Sequence, residues 1–325
     1  MRILQYTFYF LLIIASLSGV NNFAKANENP QSQPAAKASE RLLMDIKALS
    51  NGRIITIGER GHLLISDDNG QSWQQKLVPT QALLTKLFFY NDNIGWAVGH
   101  QQTILNTSDG GDTWTLQRSS DNLDQPALFD IWFKDMLNGF SVGAYGLYLQ
   151  TSDGGKTWHE VYQGELEDEE IGFSHFYSIS FQPENQVLFL AGELGFMAQS
   201  SDLGQSWQKL QSPYHGSFFK ILALQDGSLL AMGLRGHLFR SLDSGKNWQT
   251  INTGTIAVLQ EALVLRDGRI LILGTDGAML LSENGGKSFT LNQRDDRIHL
   301  AAALELESQQ LLLVGIKGVI KTSIK

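Results

Sequence analysis

Residues 83–89 are apolar with little polar relief, and a second apolar segment at 95–99 (GWAVG) follows after a short polar break. Residues 103–107 and 113–117 complete a set of four short segments separated by Gly, Asn and Asp. Short runs punctuated by turn residues about every 8–12 positions predict β-strands. The mostly apolar character of the first suits a buried inner strand. The same order predicts strands at 42–49, 54–57, 63–65 and 73–77. Beyond the N-terminal stretch, no segment carries the pattern of a long amphipathic helix.

The pattern repeats. Residues 143–158 (GAYGLYLQTSDGGKTW) have near-copies at 58–73, 99–114, 192–207, 233–248 and 274–289, and a seventh copy begins at Gly315. The leading glycines are 41, 44, 49, 41, 41 and 41 residues apart. A regular period with extra length confined to two intervals marks stacked supersecondary units with loop insertions. Room for four strands in each unit predicts an all-β, seven-bladed β-propeller of four-stranded blades. The seventh unit contains only three strand segments, at 299–306, 311–314 and 318–322. Its outer strand therefore comes from residues before Glu40, closing the ring and removing an exposed edge, or is absent.

Each copy ends on a polar turn and an aromatic residue. Asp and Ser side chains can fix such a turn through local hydrogen bonds, and the aromatic ring supplies area for packing between blades. The structural pairs are Asp109 with Trp114, Asp153 with Trp158, Asp202 with Trp207 and Asp243 with Trp248. In the first copy Asp67 or Asp68 takes the acidic position, and in the sixth Glu283 is the candidate, with Asn and Phe exchanged into the motif.

Composition narrows the function classes. The formal charge of −8 disfavours nucleic acid, whose backbone is bound by clustered Lys and Arg. The chain has no Cys, which removes disulfides and thiolate chemistry. Residues 1–26 read as a secretory signal peptide: Arg2, an apolar run over 8–17, and an A-x-A site at Ala24-Lys25-Ala26. The apolar run is shorter than the roughly 20 residues that span a bilayer, so a periplasmic or secreted protein is expected. Residues 27–39 are polar with two prolines and form a flexible leader or an outer strand. Residues 40–325 form the propeller domain.

The S-x-D-x-G-x-[ST]-W turns resemble the Asp-box of bacterial neuraminidase repeats. Together with the upstream G-x-x-G and the period near 41, residues 40–325 resemble the photosystem II assembly and stability factor family. That resemblance implies an exported seven-bladed propeller that helps to assemble membrane complexes, reaction-centre proteins in photosynthetic hosts. It also implies an association with transporters of the resistance-nodulation-division type in some other bacteria. A basic partner-binding patch is a further implication, to which Arg60, Arg235 and Lys317 are candidate contributors; Leu194 and Asp276 interrupt it at equivalent positions.

An enzyme of the sialidase type needs an arginine triad, a Tyr–Glu nucleophile pair and an acid/base Asp. None of the arginines stands in a recognisable triad context, and no Tyr–Glu pattern is evident. The scattered histidines lack metal-ligand spacing, and the G-x-x-G units precede strands rather than the helix start that phosphate binding uses. No catalytic residue, metal or cofactor is therefore expected.

Binding is expected on the face that carries the second-to-third and blade-to-blade connections. The hairpin-tip residues Arg60, Gln101, Tyr145, Leu194, Arg235, Asp276 and Lys317 vary between copies, as recognition residues or as ordinary solvated tips. In the second copy Gln102 replaces the usual Gly. The insertions are 119–126 and 164–177, the latter with an acidic half and the aromatics Phe173, Phe176 and Tyr177, and Tyr214 lies in a shorter aromatic loop. Loops on a rigid scaffold are good binding candidates. The expected function is an exported, non-catalytic protein-binding scaffold, monomeric when isolated, that assists an envelope membrane protein or transporter and can associate peripherally with the membrane. A glycan-binding module is the alternative, ahead of a sialidase-like glycosidase.

Overall fold

A computed structural model describes residues 30–324 apart from position 171. The expected signal peptide lies outside the described residues. Among them, 27 strands form seven antiparallel sheets. Six sheets have four strands in sequential order, and the seventh has three. The blades span residues 43–76, 84–118, 128–160, 176–209, 218–251, 259–293 and 300–323. Neighbouring inner strands pack against one another around the ring, and the inner strand of blade 7 (Leu300–Glu305) closes it against that of blade 1 (Leu43–Ala48). The all-β propeller is as the sequence predicts.

The second strand of each blade is buried along its length, as in Ile54–Gly58 and Gly139–Gly143, apart from the first residues Val187 and Gln310 of blades 4 and 7. Strands covered on both faces read as continuous apolar runs. Between adjacent sheets the apolar side chains form separate clusters. Ile55, Ile57 and Leu63 of blade 1 meet Leu87, Leu105 and Trp114 of blade 2. Trp114, Trp158, Trp207 and Trp248 each reach back from an outer strand into the seam with the preceding blade.

The leading glycine of each repeat answers to a close approach. Gly58, Gly143 and Gly233 have φ of −173°, −164° and −175°, an extended backbone open to any residue. A β-carbon on them, however, would lie 2.0, 2.0 and 1.9 Å from the carbonyl oxygens of Leu42, Ala127 and Ser217. The other four leading glycines face the equivalent carbonyl at 2.1–2.5 Å. Those carbonyls accept the N–H of the residue after the glycine, for example Glu59 to Leu42 at 3.0 Å and Leu234 to Ser217 at 3.1 Å. The register then slips by one residue in the inner strand of every blade, as between Leu43 and Asp45. Such a bulge re-aims the extra side chain. Here the extra residues are Met44, Thr85, Phe129, Tyr177, Phe219, Gln260 and Ala301, and all seven turn into the mouth of the central channel.

The Asp-box turns lie on the opposite face. In blade 3 the Thr151 hydroxyl donates to Asp153 at 2.9 Å and accepts the Gly155 N–H at 2.8 Å. Asp153 then accepts the N–H and the hydroxyl of Thr157 at 2.9 and 2.7 Å. The same net is built in blade 1 on Ser66 and Asp68, in blade 2 on Thr107 and Asp109, and in blade 4 on Ser200 and Asp202. The structure therefore decides between the two candidates for the first box and corrects the sixth. Asp68 fills the first box, while Asp67 pairs with Arg53 at 2.8 Å. Asn284, not Glu283, fills the sixth, receiving the Ser282 hydroxyl at 3.0 Å.

The leader does not supply an outer strand to blade 7. Ser32 donates its N–H to the Val78 carbonyl at 2.8 Å, and its hydroxyl accepts the Val78 N–H at 2.9 Å. Gln75 donates to the Gln33 carbonyl at 2.9 Å, so the leader runs beside the outer strand of blade 1. Ala38 then joins the apolar seam between blades 7 and 1. Closure is made by the packed inner strands of blades 7 and 1, with Ala38 wedged at their seam.

The Asp-box carboxylates predict an acid limit to stability. Hydrogen bonds from the N–H and hydroxyl of Thr157 hold Asp153 down at about 2, against 3.8 for a free carboxylate; those from Ser72 hold Asp68 at about 2. With folded values depressed, this stabilisation is complete above about pH 4 and is lost as pH falls towards 2. Asp153→Asn is expected to lower the melting temperature at pH 7 and to flatten its fall between pH 4 and 2. An acid limb as steep as the wild type's would contradict this role.

Candidate functional site

The seven bulges set a funnel of about 360 Å³ at one mouth of the channel. Its wall has two halves. Blades 3, 4 and 5 contribute Phe129, Tyr177 and Phe219, whose ring centroids are 5.3 and 4.9 Å apart in sequence. Blades 6, 7, 1 and 2 contribute Gln260, Ala301, Met44 and Thr85, so bulk and π-surface are confined to one side. His100 and His299 stand at the rim; burial pulls the imidazole of His100 below its ordinary value, keeping it neutral.

The residue after each bulge forms the floor: Asp45, Lys86, Asp130, Ser178, Lys220, Glu261 and Ala302 from blades 1 to 7. From blade 1 to blade 6 the charged members alternate in sign, and across Ala302 the acidic Glu261 is followed by the acidic Asp45. Lys86 crosses the channel to Glu261 at 2.8 Å and lies 3.5 Å from Asp45, and Lys220 reaches Glu261 at 2.6 Å. Burial by itself would raise the Glu261 carboxyl, but Lys220, Lys86 and Lys47 hold it far below the usual range. Burial would likewise lower the Lys86 ammonium; Asp45, Glu261 and Asp130 more than reverse this. Asp130 behaves differently. Its oxygens accept the N–H groups of Ile131 and Ile179, both at 2.8 Å. Burial raises its carboxyl, and Lys86 and Lys220 only partly offset that rise. Below the floor a second cavity of about 360 Å³ opens towards the Asp-box face, with Lys47 on its wall.

The aromatic half extends outward. Tyr177 continues to His175, with ring centroids 6.0 Å apart, and His175 continues to Tyr145 at 4.6 Å. His175 Nδ1 accepts the Tyr145 N–H at 2.8 Å. Tyr145 itself is 70% exposed at φ 55°, a left-handed conformation that L-residues adopt at some cost. Its phenol is thereby displayed on the loop face. Tyr177 stays a neutral phenol at physiological pH, pushed up to about 12 by burial and the charge of Glu193. An unbroken aromatic track thus runs from an exposed hairpin tip to the channel floor.

The structure distributes the sequence-predicted residues unevenly. Tyr145 and Tyr177 belong to this track. Phe176 does not: side chains alternate along a strand, and it is fully buried in the seam between blades 3 and 4, out of reach of a binding partner. Phe173 is half-buried over Gly146, against Tyr162 at 5.6 Å, and Tyr214 packs on His237 at 4.2 Å. Arg60, Arg235 and Lys317 are exposed but stand on blades 1, 5 and 7. Asp276, paired with Arg297 at 2.9 Å, occupies the blade between Arg235 and Lys317, so the three make no continuous basic patch. Gln101 is a half-exposed tip at φ 57°. Its neighbour Gln102 is buried and accepts from Arg118 at 2.6 Å while donating to Gln125 of the first insertion at 3.1 Å. In the acidic insertion, Leu166 is buried in the seam of blades 3 and 4. Among the described residues, no group of three or more His, Asp and Glu is placed to hold a metal.

A family profile described as photosynthesis system II assembly factor YCF48 matches residues 71–127 and 119–273, more than half of the chain. The chain belongs to this family. A BNR/Asp-box repeat profile matches residues 64–75, the first Asp-box. Among solved structures, YCF48 bound to D1 peptide has 18% identity and a TM-score of 0.70 over 93% of this chain and 96% of its own. YCF48 from Cyanidioschyzon merolae has 17% identity and a TM-score of 0.69, covering 90% and 98%. Virginiamycin B lyase from Staphylococcus aureus, at 11% identity, reaches 0.73 over 91% and 99%. Likeness at these identities concerns the fold, which carries catalytic and other functions alike. No curated protein matches the sequence.

The floor yields a prediction about stability. Glu261→Gln leaves two mostly buried ammonium groups without their shared carboxylate and is expected to cost about 3–5 kcal/mol, read from urea denaturation at pH 7. A loss under about 1 kcal/mol, the scale of an exposed pair, would show that the struts do not hold the channel.

Proposed function

We propose that this protein is a non-catalytic, exported binding scaffold that takes an extended segment of an envelope membrane protein across its loop face. The observation that carries the reading is the aromatic track from Tyr145 through His175 and Tyr177 to Phe129 and Phe219. Exposed and half-exposed aromatics on a rigid ring offer large contact area at little entropic cost. Family membership supports the reading, as does a relative whose structure holds a D1 peptide. Export is supported by the N-terminal pattern alone, and the partner is expected to be a subunit of a membrane complex or a transporter.

The test is site-specific photo-crosslinking in the native envelope. A benzophenone amino acid at Tyr145, on the loop face, is expected to give a discrete adduct with one membrane protein. The same group at Leu242, which is 63% exposed within an Asp-box turn, is expected to give none. Adducts from Leu242 alone, or glycan without protein at Tyr145, would overturn the proposal.

A further inference from the structure

The funnel's chemistry specifies more than an apolar track. Three carboxylates and two ammonium groups make its floor, with Lys47 beyond it at the other mouth. Both floor lysines are committed: Lys86 to Glu261 and Asp45, Lys220 to Glu261. Asp130 is not. Among the described residues, no cationic nitrogen lies within 4.0 Å of its carboxylate, although only 6% of the residue is exposed. The two backbone N–H groups that it accepts leave further lone pairs free. It sits beside Ser178, one of the two uncharged positions in the ring, directly below the aromatic residues of its own and the next blade: Phe129 precedes Asp130, and Tyr177 precedes Ser178. A buried carboxylate without an ionic partner, set under a row of tilted aromatic rings, is complementary to a cation, because both the ring quadrupole and the acid favour positive charge. An anion has no such place in the funnel, since both floor ammonium groups are already paired.

We infer that the funnel receives a lysine or arginine side chain of the bound segment, its charge seated against Asp130 and its stem lying along Phe129, Tyr177 and Phe219. The inference rests on the peptide-binding reading above and adds its specificity. The long stem matches the geometry. An apolar chain crosses the aromatic wall while the charged head reaches the floor, as snorkelling side chains do at other apolar-to-polar boundaries. The track to Tyr145 then guides the flanking residues, so the cation belongs to a chain rather than to a free amine.

Selection from a random heptapeptide library against the purified full chain tests this. Wild-type protein is expected to enrich peptides with Lys or Arg flanked by apolar residues. Acetylating the selected lysine should weaken binding roughly tenfold, the scale of a desolvated cation–π contact joined to a charge pair. Asp130→Asn should abolish the basic preference. Should that variant misfold, Tyr177→Leu keeps the apolar bulk, removes the π-face and should lose most of the preference. Selected peptides without basic enrichment, or enrichment untouched by both variants, would overturn the cation site while leaving the protein-binding reading in place. Failure to select any peptide would overturn both together.

Discussion

The contact on which the rest depends is the near-collision of one glycine per blade with a carbonyl of the inner strand. At Gly233 a single added carbon would fall 1.9 Å from the Ser217 oxygen. No side chain can occupy that space, so the position is glycine in all seven units despite an extended φ that would suit any residue. The approach lets the following N–H reach the same carbonyl, and the inner strand accommodates it by bulging. A purely local steric requirement thereby fixes which residue of each blade enters the channel.

This organisation separates two duties along one repeat. The Asp-box net and its aromatic residue hold the outer parts of neighbouring blades together on one face. The bulge presents a variable residue on the other, followed by a floor residue beneath it. Blades 3 to 5 use this freedom for Phe129, Tyr177 and Phe219, and the remaining blades for smaller or polar groups. Below them, charges of both signs brace the ring across its axis. Asp130 stands out among these charges because its neighbours leave it without an ionic partner.

Much of the architecture was legible in the sequence, because steric and turn requirements recur as residue types at a fixed period. The seven units, the strand order and the Asp-box aromatics could be read from Gly, Asp and Trp alone. The funnel could not be read that way. Its lining residues share no chemistry, from Met44 to Phe129 to Gln260, and their common feature is register with the leading glycine. That register was the available signal: the residues one and two positions after Leu43, Leu84 and Leu128 form the wall and the floor. Three motif positions were misframed for a similar reason. Thr107 and Thr151 perform the turn role that the adjacent Ser108 and Ser152 suggest, and Asn284 stands where Glu283 offers a more obvious acid. The aromatic insertion was read as a unit, whereas strand alternation divides it, burying Phe176 and turning Tyr177 into the funnel.

Single-cysteine labelling tests the central claim most directly, since the chain contains no native thiol. Cysteines at Met44, Gln260 and Ala301 should react in the folded protein with a small methanethiosulfonate reagent entering the funnel. Cysteines one position earlier, at Leu43, Leu259 and Leu300, which are at most 1% exposed, should stay protected until the protein unfolds. Equal reactivity within each pair, or the reverse order, would contradict a bulge that turns one residue per blade into the channel.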